Sequence, residues 1–220
     1  QQAADLHRGS PLLLVAGAGS GKTGVLTRRI AHLLATGDAR SGQILAITFT
    51  NKAAGEMRGR VLDLVGPRAE HMWVSTFHAA CVRILRREAD RLGMKSSFSI
   101  YHTADQQRLL TAVIKDNGLD VKRFTPRGVA ARISAAKNDL IDPDSFAGQA
   151  AENPYEHGLA AVYREDQRRL QLANAVDFDD IIGHVVAVLQ LFPDVAQYYR
   201  RRFRHILVDE YQDTNHAQYV

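Results

Sequence analysis

Pro11-Leu12-Leu13-Leu14-Val15-Ala16-Gly17-Ala18-Gly19-Ser20-Gly21-Lys22-Thr23 is the stretch that decides the fold. Its first six residues form a short apolar run bounded by Ser10 and by glycines, which reads as a buried parallel strand. Gly17 to Gly21 make a loop. From Lys22 to Leu34 the apolar residues Val25, Leu26, Ile30, Leu33 and Leu34 recur at helical spacing, and Gly37 ends the helix. A strand, a glycine-rich loop and a helix in that order cradle phosphate. Glycines let backbone N–H groups converge where β-carbons would block the oxygens, and the helix N-terminus adds partial positive charge. Residues Ala16, Gly17, Ala18, Gly19, Ser20, Gly21, Lys22 and Thr23 are therefore the candidate phosphate loop. Lys22 reaches the β- and γ-phosphates and the Thr23 hydroxyl binds Mg²⁺. The strict pattern has Gly where Ala16 stands, a harmless change if φ is negative there.

The complementary half lies far downstream. Ile206-Leu207-Val208 is an apolar strand that delivers Asp209 and Glu210 to a sheet edge. Asp209 is the candidate magnesium holder and Glu210 the candidate general base for the attacking water. Gln212 is placed to sense the γ-phosphate. The cofactors expected are ATP and Mg²⁺.

Between these motifs, strands are expected at Ile44–Phe49, Trp73–Thr76 and Phe98–Tyr101, with helices following the first two. From Thr103 to about Asn174 helical patterns and turn residues continue without a convincing strand, punctuated by Pro126, Pro143 and Pro154. Strand–helix alternation on both sides of a helical stretch predicts an α/β domain carrying a helical insertion.

Composition agrees with a globular chain of 220 residues, 45% hydrophobic and 24% charged. No run approaches the ~20 apolar residues of a membrane span. The single cysteine, Cys81, excludes an internal disulfide and fits a reducing, cytoplasmic setting. A net charge of +4 is compatible with nucleic acid without establishing it. The chain opens at Gln1 without Met and stops inside an apparent helix, so both ends read as cut.

Five segments in this order resemble the UvrD/PcrA/Rep family of superfamily 1 helicases, most of all the actinobacterial PcrA/UvrD enzymes. They are the phosphate loop, Ile47 to Ala54, Ser75-Thr76-Phe77-His78, Asp177-Phe178-Asp179-Asp180, and Asp209 to Thr214. The resemblance covers essentially the whole chain. It implies a P-loop NTPase (RecA-like) fold, mainly parallel, with an inserted helical subdomain. Residues 1–102 would be the first part of domain 1A, 103–174 subdomain 1B, and 175–220 the second part of 1A, ending after the Walker B motif.

It implies an ATP-dependent 3′–5′ helicase that couples hydrolysis to movement on single-stranded DNA. Single strands and single/double-strand junctions would be its substrates, with repair or transcription proteins as partners and no membrane. A second motor domain, absent here, would supply arginine fingers, so this chain alone would not unwind DNA. The same resemblance extends to a helicase subunit of a helicase–nuclease complex. A nucleotide-gated module without motor activity is the remaining alternative.

Residue by residue, the resemblance makes Gln1 the adenine-reading amide. Phe49 would stack on a base, while Thr50, Asn51 and Lys52 hold the backbone, joined by Thr76 and His78. On spacing alone Phe49 suits a core as well as a stack, and a lone His is usually structural. Asp177, Asp179 and Asp180 read first as a helix cap, and Arg200 to Arg204 first as solvated surface. Gly24 departs from the family, where many members carry Arg that holds the nucleotide.

Overall fold

A computed structural model describes residues 6–7, 9–15, 21–150 and 153–220. The architecture is mixed α/β with parallel sheets and mostly helical. The chain divides into two compact units, residues 1–80 with 192–213, and 81–191 with 214–220.

In the first unit, β1 (Ile44–Thr48) is the centre of a parallel sheet of order β2-β1-β5, flanked by β2 (Trp73–Thr76) and β5 (His205–Val208). The register aligns Thr48 with Thr76 and Ile47 with Val208, so all three strands end at one edge. Helices α1 (Lys22–Thr36) and α2 (Asn51–Val65) cover the sheet. Ile30, Leu33 and Leu34 of α1 and Met57 and Val61 of α2 close over Ile44, Ala46, Val74 and Leu207. Gly37, at φ 77°, terminates α1 in the left-handed conformation that glycine adopts without strain. Helix α9 (Pro193–Arg202) returns the chain to β5. Within the basic run, Arg200, Arg201 and Arg204 are exposed, whereas the Arg202 guanidinium lies 5.0 Å over the Trp73 ring.

One expected element is not formed. Residues 11–15 carry no strand, with Leu13 68% and Val15 91% exposed. An apolar run becomes a buried strand only where a sheet edge and two covering faces receive it. Among the described residues nothing pairs with this segment. β5 remains an edge strand, with Ile206 62% exposed.

The second unit opens within α3 (Phe77–Glu88), which spans the division between the units. β3 (Ser99–Tyr101) then pairs in parallel with β4 (Ala175–Asp177), a three-residue strand absent from the sequence reading, and not with the larger sheet. Between them run α4 (Thr103–Asp116), α5 (Pro126–Asn138), α6 (Pro143–Gln149) and α7 (Pro154–Leu172). The three prolines explain the punctuation. Each occupies the first turn, where a missing N–H costs nothing, and follows a side-chain cap: Thr125 accepts from Gly128 N, Asp142 from Asp144 N and Ser145 N, and Asn153 from Tyr155 N. Leu110, Val113, Ile114, Phe124, Val129, Ile133, Leu159, Val162 and Tyr163 make the core. Gly158 sits in mid-helix because a β-carbon there would come within 2.7 Å of the Phe124 ring.

Helix α8 (Phe178–Leu191) starts on the acidic cluster. Asp177 and Asp180 exchange bonds across its first turn, each backbone N–H donating to the other's carboxylate at 2.9 Å. The capping role expected of these carboxylates is formed, and it is embedded in something larger. The buried Lys137 ammonium of α5 reaches Asp177 at 2.5 Å and Asp180 at 2.8 Å, and Gln106 of α4 donates to Asp177 at 3.0 Å. Burial opposes the charge on Lys137, but Asp180, Asp177 and Asp166 outweigh it and hold the ammonium well above the usual lysine range.

Asp166 of α7 is 1% exposed, and neither carboxylate oxygen has a hydrogen-bond partner among the described residues. Burial is the largest cause of its raised pKa, about 7; Lys137 counters it, while Asp177 and Asp180 add to it. The charged groups named on α4 and α6 that pair with α7 lie at its exposed surface, as Asp116 with Arg169 and Asp144 with Arg164. The folded state therefore holds a proton that the unfolded chain releases near pH 4. Stability from this group is present below about pH 4 and falls as pH rises to about 7, where the native carboxyl ionises. Asp166→Asn should remove that slope. Its advantage in thermal melting should grow from nothing near pH 4 to a plateau above pH 7, worth up to about 4 kcal/mol. Parallel melting curves for variant and wild type across that range would show that Asp166 carries no such proton.

Candidate nucleotide site and nucleic-acid edge

Two distant segments of the first unit meet at the sheet edge where β5 ends. Gly21 precedes α1 with φ 84°, a left-handed turn that glycine adopts without strain, and places Lys22 and Thr23 in the first helical turn. Gln1 and Ala16, Gly17, Ala18, Gly19 and Ser20 lie outside the described residues. From β5 the ladder runs on by one bond, Asp209 N–H to the Ile47 carbonyl at 2.9 Å. This fixes Asp209, 7% exposed, where its carboxylate accepts from the Thr23 hydroxyl at 3.0 Å. Glu210 follows with φ 50°, a left-handed conformation that a side chain adopts only under strain. The turn aims its carboxylate back at α1, where Lys22 Nζ lies 3.1 Å from Oε2. The Gln212 amide, in the short turn Tyr211–Asp213, donates to the same Oε2.

The electrostatics follow from these contacts. Hydrogen bonding from Gln212 first, and from Lys22 next, holds the Glu210 carboxyl below the ordinary glutamate range. Lys22 pairs with Glu210, and Thr23 pairs with Asp209, across separations of 188 and 186 residues. The oxygen donors of Thr23 and Asp209 suit a hard cation such as Mg²⁺, which takes few protein ligands beside phosphate and water.

The same edge carries the second set of candidate residues. Phe49 leaves β1 as a residue 37% exposed. Thr50 caps α2, its hydroxyl accepting from Ala53 N at 3.1 Å, and Asn51 and Lys52 lie exposed in the first turn. Thr76 stands in the same relation to α3, accepting from Ala79 N at 3.3 Å, and His78 is half-buried in that helix's first turn. Both threonines thus do local capping work that the motif reading did not assign, while each hydroxyl keeps its own proton to donate. The two helix N-termini are ready for an anion beside an exposed aromatic.

Sequence reasoning missed Phe77, whose ring packs edge-on to Phe49 at 5.8 Å between centroids. The signal was its position, at a strand's end within a quoted motif. Lys137 was missed because one lysine in a helix gives no sign of burial. Among the described residues no cluster of three or more His, Cys, Asp or Glu is arranged for a metal, and no single helix is long and apolar enough to cross a membrane.

Comparison with known proteins gives a consistent result. The family model for the UvrD/REP helicase N-terminal domain matches residues 1–220. The chain is 62% identical over 223 residues to the ATP-dependent DNA helicase UvrD1 of Mycobacterium tuberculosis, covering 100% of this chain and 29% of that protein. It is 58% identical to UvrD1 of Mycobacterium leprae over 224 residues, again 100% of this chain and 29% of the relative. Against the ATP-dependent DNA helicase PcrA of Bacillus subtilis the identity is 48% over 220 residues, 100% of this chain and 30% of the relative. The chain spans less than a third of the length of these relatives.

Proposed function

The chain belongs to the UvrD/REP helicase family, and from that premise we propose that it is the ATP-binding part of a DNA helicase that moves 3′ to 5′ on single strands. The observation that carries the reading is the convergence of Lys22 and Thr23 on Glu210 and Asp209 across most of the chain. ATP enters beside Lys22, competes with Glu210 for the ammonium, and so releases the Glu210 carboxylate. Freed, Glu210 orients the attacking water and accepts its proton, while Gln212, bonded to that carboxylate, senses the γ-phosphate. Thr23 and Asp209 would hold Mg²⁺, which supplies charge neutralisation on the β- and γ-phosphates. Ala16 to Gly21 would cradle those phosphates, and Gln1 would read adenine.

The fold expected for this activity is RecA-like, with α4–α7 within residues 103–174 forming the inserted helical subdomain. A single strand would cross the edge above β1 and β2, with a base stacked on Phe49 and phosphates on the N-termini of α2 and α3 through Thr50, Asn51, Lys52, Thr76 and His78. Repair and rescue of replication in the cytoplasm is the setting that fits, with junctions of single- and double-stranded DNA as substrates.

Direction and ring stacking are both measurable. In the full-length protein, a fluorophore on the 5′ end of a single strand should report arrival with a delay that grows with strand length, and a 3′ label should not. Phe49→Ala should raise the DNA concentration for half-maximal ATPase by about 5- to 150-fold, the equivalent of about 1–3 kcal/mol for one stacked base. Length-independent arrival at both ends would exclude a directional motor.

A further inference from the structure

Phe49 and Phe77 leave neighbouring parallel strands at one sheet edge and touch there. Their centroids are 5.8 Å apart and their planes cross at 68°. Phe49 is partly exposed, whereas Phe77 is half-buried as the first residue of α3, with Thr76 capping the turn beneath it. We propose that Phe77 is a positioning residue for nucleic-acid binding: its ring fixes the plane in which Phe49 meets a base. The inference rests on the reading of Phe49 as the stacking residue and adds to it the group that orients the stack.

A solvent-facing phenylalanine otherwise samples several rotamers, most with the ring face turned away from a passing base. Freezing those rotamers costs affinity at the moment of binding, unless the free protein has already paid it. An edge-to-face neighbour does that, because the positive ring edge of one aromatic favours the negative face of the other and specifies their angle. An aliphatic side chain of similar size would fill the space without specifying it. Phe77 is suited to the task because its own backbone is fixed. It begins a capped helix directly after a strand paired in register with β1, with Thr48 opposite Thr76.

The test uses the full-length protein and an oligothymidylate carrying 2-aminopurine. Phe77→Leu keeps apolar bulk and loses the ring; Phe77→Tyr keeps the ring. For Phe77→Leu the DNA concentration giving half-maximal ATPase should rise about 2- to 10-fold, the range for an aromatic pair. The rate at saturating DNA should stay unchanged, the quenching of 2-aminopurine should weaken, and Phe77→Tyr should behave as wild type. In a Phe49→Ala background, Phe77→Leu should add nothing, because it acts through Phe49.

Three results overturn the proposal: no change in Phe77→Leu, an undiminished effect without Phe49, or equal loss in Phe77→Tyr. If Phe49→Ala itself leaves DNA dependence untouched, the stacking reading fails and the proposal falls with it. If only Phe77→Leu is silent, the stacking reading stands and the positioning role alone is lost. Should Phe77→Leu melt below the assay temperature, Phe77→Met tests the same point.

Discussion

Replacing Lys137 by alanine should cost about 3–5 kcal/mol of folding stability, the range for removing one partner of a buried ion pair. Native domains hold only about 5–15 kcal/mol in all, so the variant should be close to unfolding at neutral pH. The reason is the arithmetic of charge in one small volume. The Lys137 ammonium contacts both Asp177 and Asp180, and the Asp166 carboxylate is buried with no hydrogen-bond partner among the described residues. Without the ammonium, two carboxylates that must also cap α8 face each other across that cap. Urea titration should show the loss as a lower midpoint. Part of it should return below about pH 5, as the stranded carboxylates take up protons. An unfolding free energy within about 0.5 kcal/mol of wild type, the scatter of an ordinary surface substitution, would mean that the cluster is solvated and not buried.

The contrast between the acidic cluster and the phosphate loop shows what a sequence exposes. Asp177 and Asp180 at spacing three before an apolar run announce a helix start, because capping is a local property. The lysine that neutralises them comes from 40 residues upstream, and no local pattern marks it. Parallel strands were legible where apolar runs met a partner, as in β1 and β5, and misleading at residues 11–15, where the same pattern finds none among the described residues. β4 escaped notice because three residues carry too little periodicity to separate a strand from the end of α7. At the candidate site, Lys22, Thr23, Asp209, Glu210 and Gln212 were nameable from motif grammar alone. The pairing among them, and the left-handed turn that bends Glu210 toward Lys22, depend on how β5 pairs with β1 and how α1 packs on the sheet. Thr50 and Thr76 mark the reverse limit, since motif grammar gave them ligands and left out the helices they cap.

The pairing of Lys22 with Glu210 leads to the second large effect, and it separates two substitutions that a motif reading would treat alike. In the full-length protein, Glu210→Gln should lower the ATPase turnover about 10²- to 10⁴-fold, the usual contribution of a positioned general base. Lys22→Ala should abolish activity by a different route, since it removes the cation that the triphosphate needs. Their nucleotide affinities should move in opposite directions. Lys22→Ala weakens ATP binding. Glu210→Gln leaves it unchanged or strengthens it, because ATP no longer has to displace a carboxylate from the Lys22 ammonium. Equilibrium binding of a fluorescent ATP analogue, set beside single-turnover hydrolysis, reads both quantities.

The pH profile supplies an independent arm. Once ATP has drawn Lys22 away, Gln212, the larger cause, still holds the Glu210 carboxyl below the ordinary glutamate value of about 4.3, so the base form persists through neutral and mildly acid pH. Turnover limited by this base should fall only below that value. Gln212→Ala removes the first cause of the shift and should move the acid limb upward. Weaker ATP binding in Glu210→Gln would mean that the carboxylate helps to hold nucleotide. An unchanged turnover in the same variant would remove Glu210 as the base, leaving the water's proton to another acceptor.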